Sequence, residues 1–179
     1  PNTNSIKNPV PPGYDRPHTN QTRFNDLQSY CEAIALEPSA FEPGSSFLYG
    51  INQAILGRLV EVLSGFSFQD YLTHTLFEPL NMVDTSFVMD EDKRSRFQPL
   101  WINSEHLKGY TYLLNELTYS PTSQAHFGGE GLVSTAADYA NFCEMLANGG
   151  EFKGKRILSQ DSIDQMTTPL SENIMSEMG

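Results

Sequence analysis

The segment from Phe41 to Gly65 constrains the fold of this chain more than any other part of the sequence. It begins with Glu-Pro-Gly-Ser at 42–45, which is typical of a tight turn, because proline fixes φ and glycine tolerates a positive φ. Apolar residues then recur at the spacing of an α-helix, and Gly65 is a typical helix stop. The predicted apolar face comprises Ile51, Ile55, Leu59 and Val62, widened by Ala54, Leu56, Val60 and Leu63.

Tyr49 lies between the predicted turn and the predicted helix. A turn on one side and a helix on the other would hold its phenol in a fixed place, which is what a functional hydroxyl requires. From the spacing alone, a packed aromatic residue at the start of a helix is the simpler interpretation. Both interpretations stay open on these residues alone.

The composition argues against several classes of partner. The formal net charge is −11 in 179 residues, so the chain should repel nucleic acid and anionic membranes. No apolar run is long enough to span a membrane, and we expect no membrane segment in this chain. We expect neither a metal site nor a cofactor, because the histidines show no ligand spacing with cysteines or carboxylates. The histidines are His18, His74, His106 and His126.

The remaining signals predict a loop or tail followed by one mostly helical unit. Residues 1–23 contain five prolines, which exclude a helix, and we interpret them as the loop or tail. Residues 24–179 form the predicted unit, with short β segments between its helices. Further helices are predicted at 24–36 with Asn25 as cap, at 67–79, at 135–148 with Tyr139, Phe142, Cys143 and Leu146 inward, and after Ser159 with Ile163 and Met166 inward.

Three segments, in this order, resemble the serine β-lactamase-like family, which includes class C β-lactamases, D-alanyl-D-alanine carboxypeptidases and related esterases. Together they extend from about residue 41 to 166, with weak similarity at 90–127. Each motif alone is modest, and their order and spacing make the resemblance specific. They are FEPGSSFLYGINQAILGRLVEVLSG, SFQDYLTHTLFEPLNMVDTSF and GGEGLVSTAADYANFCEMLANGGEFKGKRIL.

The resemblance implies the helical subdomain of a β-lactamase/transpeptidase-like α/β fold, and so a mainly α unit with short β segments. It also implies a serine hydrolase whose nucleophile lies in Ser-x-x-Lys, followed by a Tyr-x-Asn element and a Lys-Thr-Gly or His-x-Gly strand. This sequence contains neither Ser-x-x-Lys nor Lys-Thr-Gly. His126-Phe127-Gly128 has the His-x-Gly letters, but it precedes the glycine-rich turn, and we interpret it as a chance match.

Within this resemblance Tyr49 matches the tyrosine of the second motif and would be the general base that takes the proton of the serine. A free phenol has a pKa of about 10, and lysines from the absent segments would lower it. The third position of the motif is Ile51 rather than asparagine, which favours an esterase-like member over a β-lactamase. The substrate-binding residues cannot be assigned from the sequence.

The expected function is therefore that of a fragment of a serine hydrolase acting on a small-molecule ester or amide through an acyl-serine. The chain begins at Pro1 rather than methionine, which suggests a processed chain or an excised piece. The fragment alone is expected to be inactive and to expose an apolar face, through which a homodimer is one expectation. The alternative is a non-catalytic binding or interaction module on the same helical scaffold. Substrate and localisation are not assigned.

Overall fold

The computed structural model describes residues 24–39, 41–42, 44–46, 50, 52–98, 100–103, 111–114, 126–129 and 131–169. The predicted loop at 1–23 lies outside these residues, and so do Tyr49 and Ile51. The described part is mainly helical with short β segments, as the sequence predicts.

The secondary structure consists of six α-helices, one π-helical turn and two small antiparallel pairs of strands in the described part. The helices are α1 (Leu27–Ala35), α2 (Asn52–Ser64), α3 (Phe68–Leu72), α4 (Glu91–Arg96), α5 (Ala136–Ala147) and α6 (Gln160–Thr167), and the π-helical turn at Thr73–Phe77 continues α3. The strands are β1 (Leu100–Asn103), which pairs with β2 (Thr111–Leu114), and β3 (Glu151–Phe152), which pairs with β4 (Lys155–Arg156).

Side-chain caps set where most of the helices begin. Ser67 accepts a hydrogen bond from the backbone N–H of Asp70 at the start of α3, which confirms Ser67 as the cap, and its hydroxyl donates to the Asp70 carboxylate. At α1 the prediction of Asn25 as cap was wrong. Asp26 is the cap, because its carboxylate accepts the backbone N–H of Ser29 at 2.7 Å.

Two apolar clusters form the core. The first joins α1 to α2 and to two more distant segments, and Tyr30 meets Phe127 edge to face at 4.5 Å between ring centroids. The second joins the π-helical turn to α5 and β3. The buried members are Leu27, Tyr30, Ala54, Phe87 and Phe127 in the first cluster, and Phe77, Leu80, Met82, Met145 and Phe152 in the second.

Helix α2 packs through its smallest residues. Ala54 and Gly57 are its buried positions, and a Cβ on Gly57 would lie only 3.2 Å from Cδ1 of Leu27 in α1. Of the apolar face predicted from the helical spacing, Ala54 is buried as expected and Val60 is half-buried, but the other described members point outward. Its exposed members are Ile55 at 43%, Leu56 at 58%, Leu59 at 49%, Val62 at 63% and Leu63 at 78%.

The predicted inner faces of α5 and α6 need correction. Tyr139 is 60% exposed and Cys143 is exposed, while Asp138 and Met145 are the buried residues of α5. The reason is polar: the Asp138 carboxylate binds the 84–85 segment, which turns that side of the helix inward. In α6, Ile163 is buried as predicted, and Met166 is 61% exposed. No helix in the described residues is both long and apolar enough to cross a membrane.

We expect Leu27→Ala to lower the free energy of unfolding by about 2–4 kcal/mol, because Leu27 is fully buried between α1 and α2 and its truncation leaves a cavity. The matched control is Leu36→Ala, since Leu36 directly follows the same helix and is 86% exposed. That control should change stability by less than about 0.5 kcal/mol. Urea unfolding followed by circular dichroism measures both, and equal losses would contradict the assigned core.

Candidate functional site

The turn predicted ahead of α2 is present. The backbone N–H of Ser45 donates to the carbonyl of Glu42 at 3.0 Å, and the Ser45 hydroxyl donates to the same oxygen at 2.7 Å. Gly44 has a φ of 84°, a left-handed conformation that favours glycine. The turn therefore reverses the chain a few residues before the predicted catalytic tyrosine.

Tyr49, the one catalytic residue predicted, lies outside the described residues, and its role stays a prediction. The structure does describe residues that flank Tyr49 in the sequence. Gly50 follows it directly, and α2 begins at Asn52. The position of Tyr49 is thus tied along the chain to the N-terminal end of α2, and whatever fixes that end also bears on the tyrosine.

A glycine turn from far along the chain lies against the first turn of α2. A Cβ built on Gly128 would lie 2.8 Å from the backbone oxygen of Gln53, closer than real Cβ atoms come, so only glycine fits there without movement. At Gly129 the nearest atom, Cβ of Gln53, would be at an ordinary 3.5 Å. The sequence predicts a turn here, and the contact with α2 was missed because no local pattern relates the two segments.

Two buried aromatic residues anchor this glycine turn in the core. The His126 ring stacks on Phe87 at 4.9 Å between centroids and 6° between planes. Phe127 contacts Tyr30 of α1 edge to face. Both His126 and Phe127 are about 5% exposed or less, so the turn is attached to the same core as α1 and α2.

A buried carboxylate fixes the segment that leads to Phe87. One oxygen of Asp138 accepts the backbone N–H of Asp84 and the hydroxyl of Thr85, each at 2.8 Å. Ser86 then pairs with Val133 through two backbone hydrogen bonds. Asp138 is only 4% exposed and lies in the first turn of α5, where the helix dipole favours a negative charge.

The side chain of Asp84 makes the second link of this segment. It accepts two hydrogen bonds from the guanidinium of Arg96 in α4, at 2.7 and 3.2 Å. The hydrogen bond from Arg96 lowers the pKa of Asp84, and the positive charges of Arg96 and Lys93 add to the effect. Because the pair is largely exposed, its contribution to stability is small and sensitive to salt.

In the ranges that the structure describes, no three His, Cys, Asp or Glu side chains converge as metal ligands would. A shallow groove of about 320 Å³ lies beside the π-helical turn and is lined by one charged side chain, Glu78. None of its lining residues belongs to the turn at 42–45 or to α2. The groove is therefore not the predicted site.

Known proteins share both the sequence pattern and the fold. The sequence model of the family described as Beta-lactamase matches residues 10–179. A lovastatin esterase of Penicillium rubens is 27% identical over 145 residues, which are 79% of this chain and 35% of the esterase. The chain spans about a third of the length of the curated relatives it matches.

Solved structures agree with the predicted fold class. Simvastatin synthase (LovD) of Aspergillus terreus superposes with a TM-score of 0.68 at 21% identity, over 93% of this chain and 42% of the synthase. An octameric penicillin-binding protein homologue of Pyrococcus abyssi gives 0.59 at 21% identity, over 80% of this chain and 30% of the homologue. These likenesses confirm a helical unit of the β-lactamase/transpeptidase-like fold.

We expect Asp84→Asn to lower the melting temperature only slightly at neutral pH, by no more than about 2 °C, and by less in acid. The folded-state pKa of Asp84 is lowered, so its ion pair stabilises the fold above the unfolded pKa of about 3.9, and the contribution disappears as pH falls through the folded value. Thermal unfolding from pH 7 to pH 3 measures this. Arg96→Gln should have the same pH dependence, and the double variant should lose little more; a constant difference down to pH 3 would contradict the pair.

Proposed function

Because the chain belongs to the beta-lactamase family, we propose that it is the helical part of a serine hydrolase that cleaves an ester or amide through an acyl-serine intermediate. The observation that carries the proposal is the place of Tyr49 in the sequence, between the turn at 42–45 and α2, where the second family motif has its tyrosine. The other two motifs follow in the family order.

In the proposed mechanism the Tyr49 phenolate accepts the proton of the serine hydroxyl while the serine oxygen attacks the substrate carbonyl. The phenol then gives this proton to the leaving alcohol or amine, and water hydrolyses the acyl-serine. The Ser-x-x-Lys and Lys-Thr-Gly segments would supply the nucleophile and the cations that lower the phenol pKa. Because these 179 residues contain neither motif, the chain by itself is proposed to be inactive.

The proposed substrate is an ester in preference to a β-lactam. In β-lactamases the asparagine of the second motif contacts the substrate amide, and this chain has Ile51 at that position. The apolar side chain of Ile51 cannot make that hydrogen bond, and an ester has no amide N–H with which to make it. The similarity to a lovastatin esterase supports the same choice.

A second candidate is a non-catalytic binding or interaction module on the same scaffold. The absence of Ser-x-x-Lys from these residues favours it. The gene on both sides of this segment discriminates between the two. An uninterrupted reading frame with Ser-x-x-Lys upstream supports the hydrolase, and a frame without it supports the module.

Tyr49→Phe in the protein that includes both missing motifs should lower kcat for a nitrophenyl ester by about 100-fold or more, because phenylalanine cannot accept a proton. KM should change little, since the ring is retained. The assay is ester hydrolysis, with nitrocefin as the β-lactam comparison.

Tyr139→Phe is the matched control for Tyr49→Phe. Tyr139 lies on the exposed side of α5, and loss of its hydroxyl should leave the rate within about twofold. Equal activity of Tyr49→Phe and the unchanged protein would contradict the catalytic role of Tyr49.

The exposed aliphatic face of α2 supports the view that this chain acts as part of a larger hydrolase. The aliphatic stripe, defined as Ile55, Leu56, Leu59, Val62 and Leu63, is continuous along the helix. Contiguous apolar surface of this kind marks a place where another surface packs. Since the chain spans about a third of its relatives, we propose that further polypeptide of the same hydrolase covers the stripe.

Leu59→Gln should therefore act differently in two contexts. In the 179-residue chain it should alter the free energy of unfolding by less than about 0.5 kcal/mol, and in the longer hydrolase by about 2–4 kcal/mol, where the stripe is buried. Leu36→Gln, equally apolar and 86% exposed outside the stripe, should be mild in both. If light scattering finds a dimer of the 179-residue chain that Leu59→Gln dissociates, a second copy covers the stripe and the proposed cover is wrong.

A further inference from the structure

We propose that Gly128 is a positioning residue for Tyr49. The glycine turn at 126–129 forms a support against which the N-terminal end of α2 rests, and only a residue without a Cβ allows the contact. The role presupposes the catalytic function proposed for Tyr49, which lies four residues before Gln53 in the sequence.

The need for glycine at this position is one of space. Gly128 is not among the glycines with positive φ, so its backbone conformation is open to any residue. A Cβ there would lie 2.8 Å from the backbone oxygen of Gln53 and 3.4 Å from its carbonyl carbon. The obstacle is the backbone of a helix, which cannot rotate away as the end of a flexible side chain can.

Gly129 provides the contrast within the same turn. A Cβ there would meet the Gln53 side chain at 3.5 Å or more, which is ordinary van der Waals contact. Two neighbouring glycines of similar exposure therefore differ in one respect, the distance to the α2 backbone. An alanine scan across them separates the effect of that contact from the effect of stiffening the turn.

The glycine turn at 126–129 cannot easily move away from α2. Phe127 is buried against Tyr30 of α1, and His126 is buried in a stack with Phe87. Moving the turn outward would separate both aromatic contacts from a core that also includes Ala54 of α2. We expect the N-terminal end of α2 to move instead.

That end of α2 is held from one side only. Ala54 and Gly57 pack toward the first cluster, Gly57 lies mid-helix close to Leu27 and Phe68, and the aliphatic stripe faces away from the rest of the described chain. Pushing on the Gln53 carbonyl would tilt the first turn about this mid-length contact. A misplacement approaching 1 Å at a catalytic group costs about 100-fold in rate.

The first experiment uses the 179-residue chain and does not depend on activity. With ¹³C-labelled tyrosine, the ring signal of Tyr49 is assigned by its loss in Tyr49→Phe. Gly128→Ala should shift this signal, while Gly129→Ala should leave it in place. An unchanged Tyr49 signal in Gly128→Ala, or an equal shift in Gly129→Ala, overturns the proposal.

Phe127→Leu covers the case in which Gly128→Ala does not fold. Leucine keeps the site apolar but gives up the edge-to-face contact with Tyr30, so the support loosens without a clash. The Tyr49 signal should then broaden or shift, and a signal identical to that of the unchanged chain overturns the proposal.

The second experiment uses the longer hydrolase and a nitrophenyl ester. Gly128→Ala should lower kcat by about 10- to 100-fold and move the acidic limb of its pH profile, because the phenol would move relative to the cations proposed to lower its pKa. Gly129→Ala should stay within about twofold. An unchanged pH profile with unchanged kcat in Gly128→Ala overturns the positioning role. Full activity of Tyr49→Phe overturns the proposed function instead, and the contact is then tested by the Tyr49 ring signal alone.

Discussion

The close packing of α2 through Ala54 and Gly57 is the contact on which the rest of the arrangement depends. Because these positions carry almost no side chain, α1 approaches the α2 backbone, and Leu27 fills the space beside Gly57. The glycine turn makes a second close approach at Gln53. A helix held in this way has its position set by backbone contacts, which are stiffer than the ends of long side chains.

The polar network around Asp138 brings the distant parts of the chain to this helix. Its carboxylate accepts the hydrogen bonds that the backbone N–H of Asp84 and the hydroxyl of Thr85 would otherwise donate to water. Removing this buried carboxylate would take that acceptor away from both donors. The same segment continues to Phe87, whose ring stacks on His126. One buried acid in α5 thus helps to place the glycine turn that touches α2, although it contacts neither.

Local chemistry in the sequence predicts where the elements begin and end, but periodicity cannot say which way a face points. The caps at Ser67, Thr135 and Ser159 follow from a polar side chain that reaches a nearby backbone N–H. The spacing in α2 predicts an apolar face, of which the structure buries Ala54 and turns the aliphatic stripe outward. The contact between Gly128 and Gln53 joins segments with no shared pattern, and Tyr49 itself can be placed only by the family resemblance.

The proposed function gives the outward stripe on α2 and the absence of Ser-x-x-Lys from these 179 residues a common physical explanation. Exposed leucines and valines along one helix are unfavourable in water, and a general base needs a nucleophile from which to take a proton. Further polypeptide that brings the serine would also bring apolar surface to the helix that follows Tyr49. Helix α2 would then be packed on two sides, the small residues that face α1 and the stripe that faces the incoming segment. Under the proposed function, burial of the stripe would therefore complete the packing of the helix that directly follows the proposed base in the sequence.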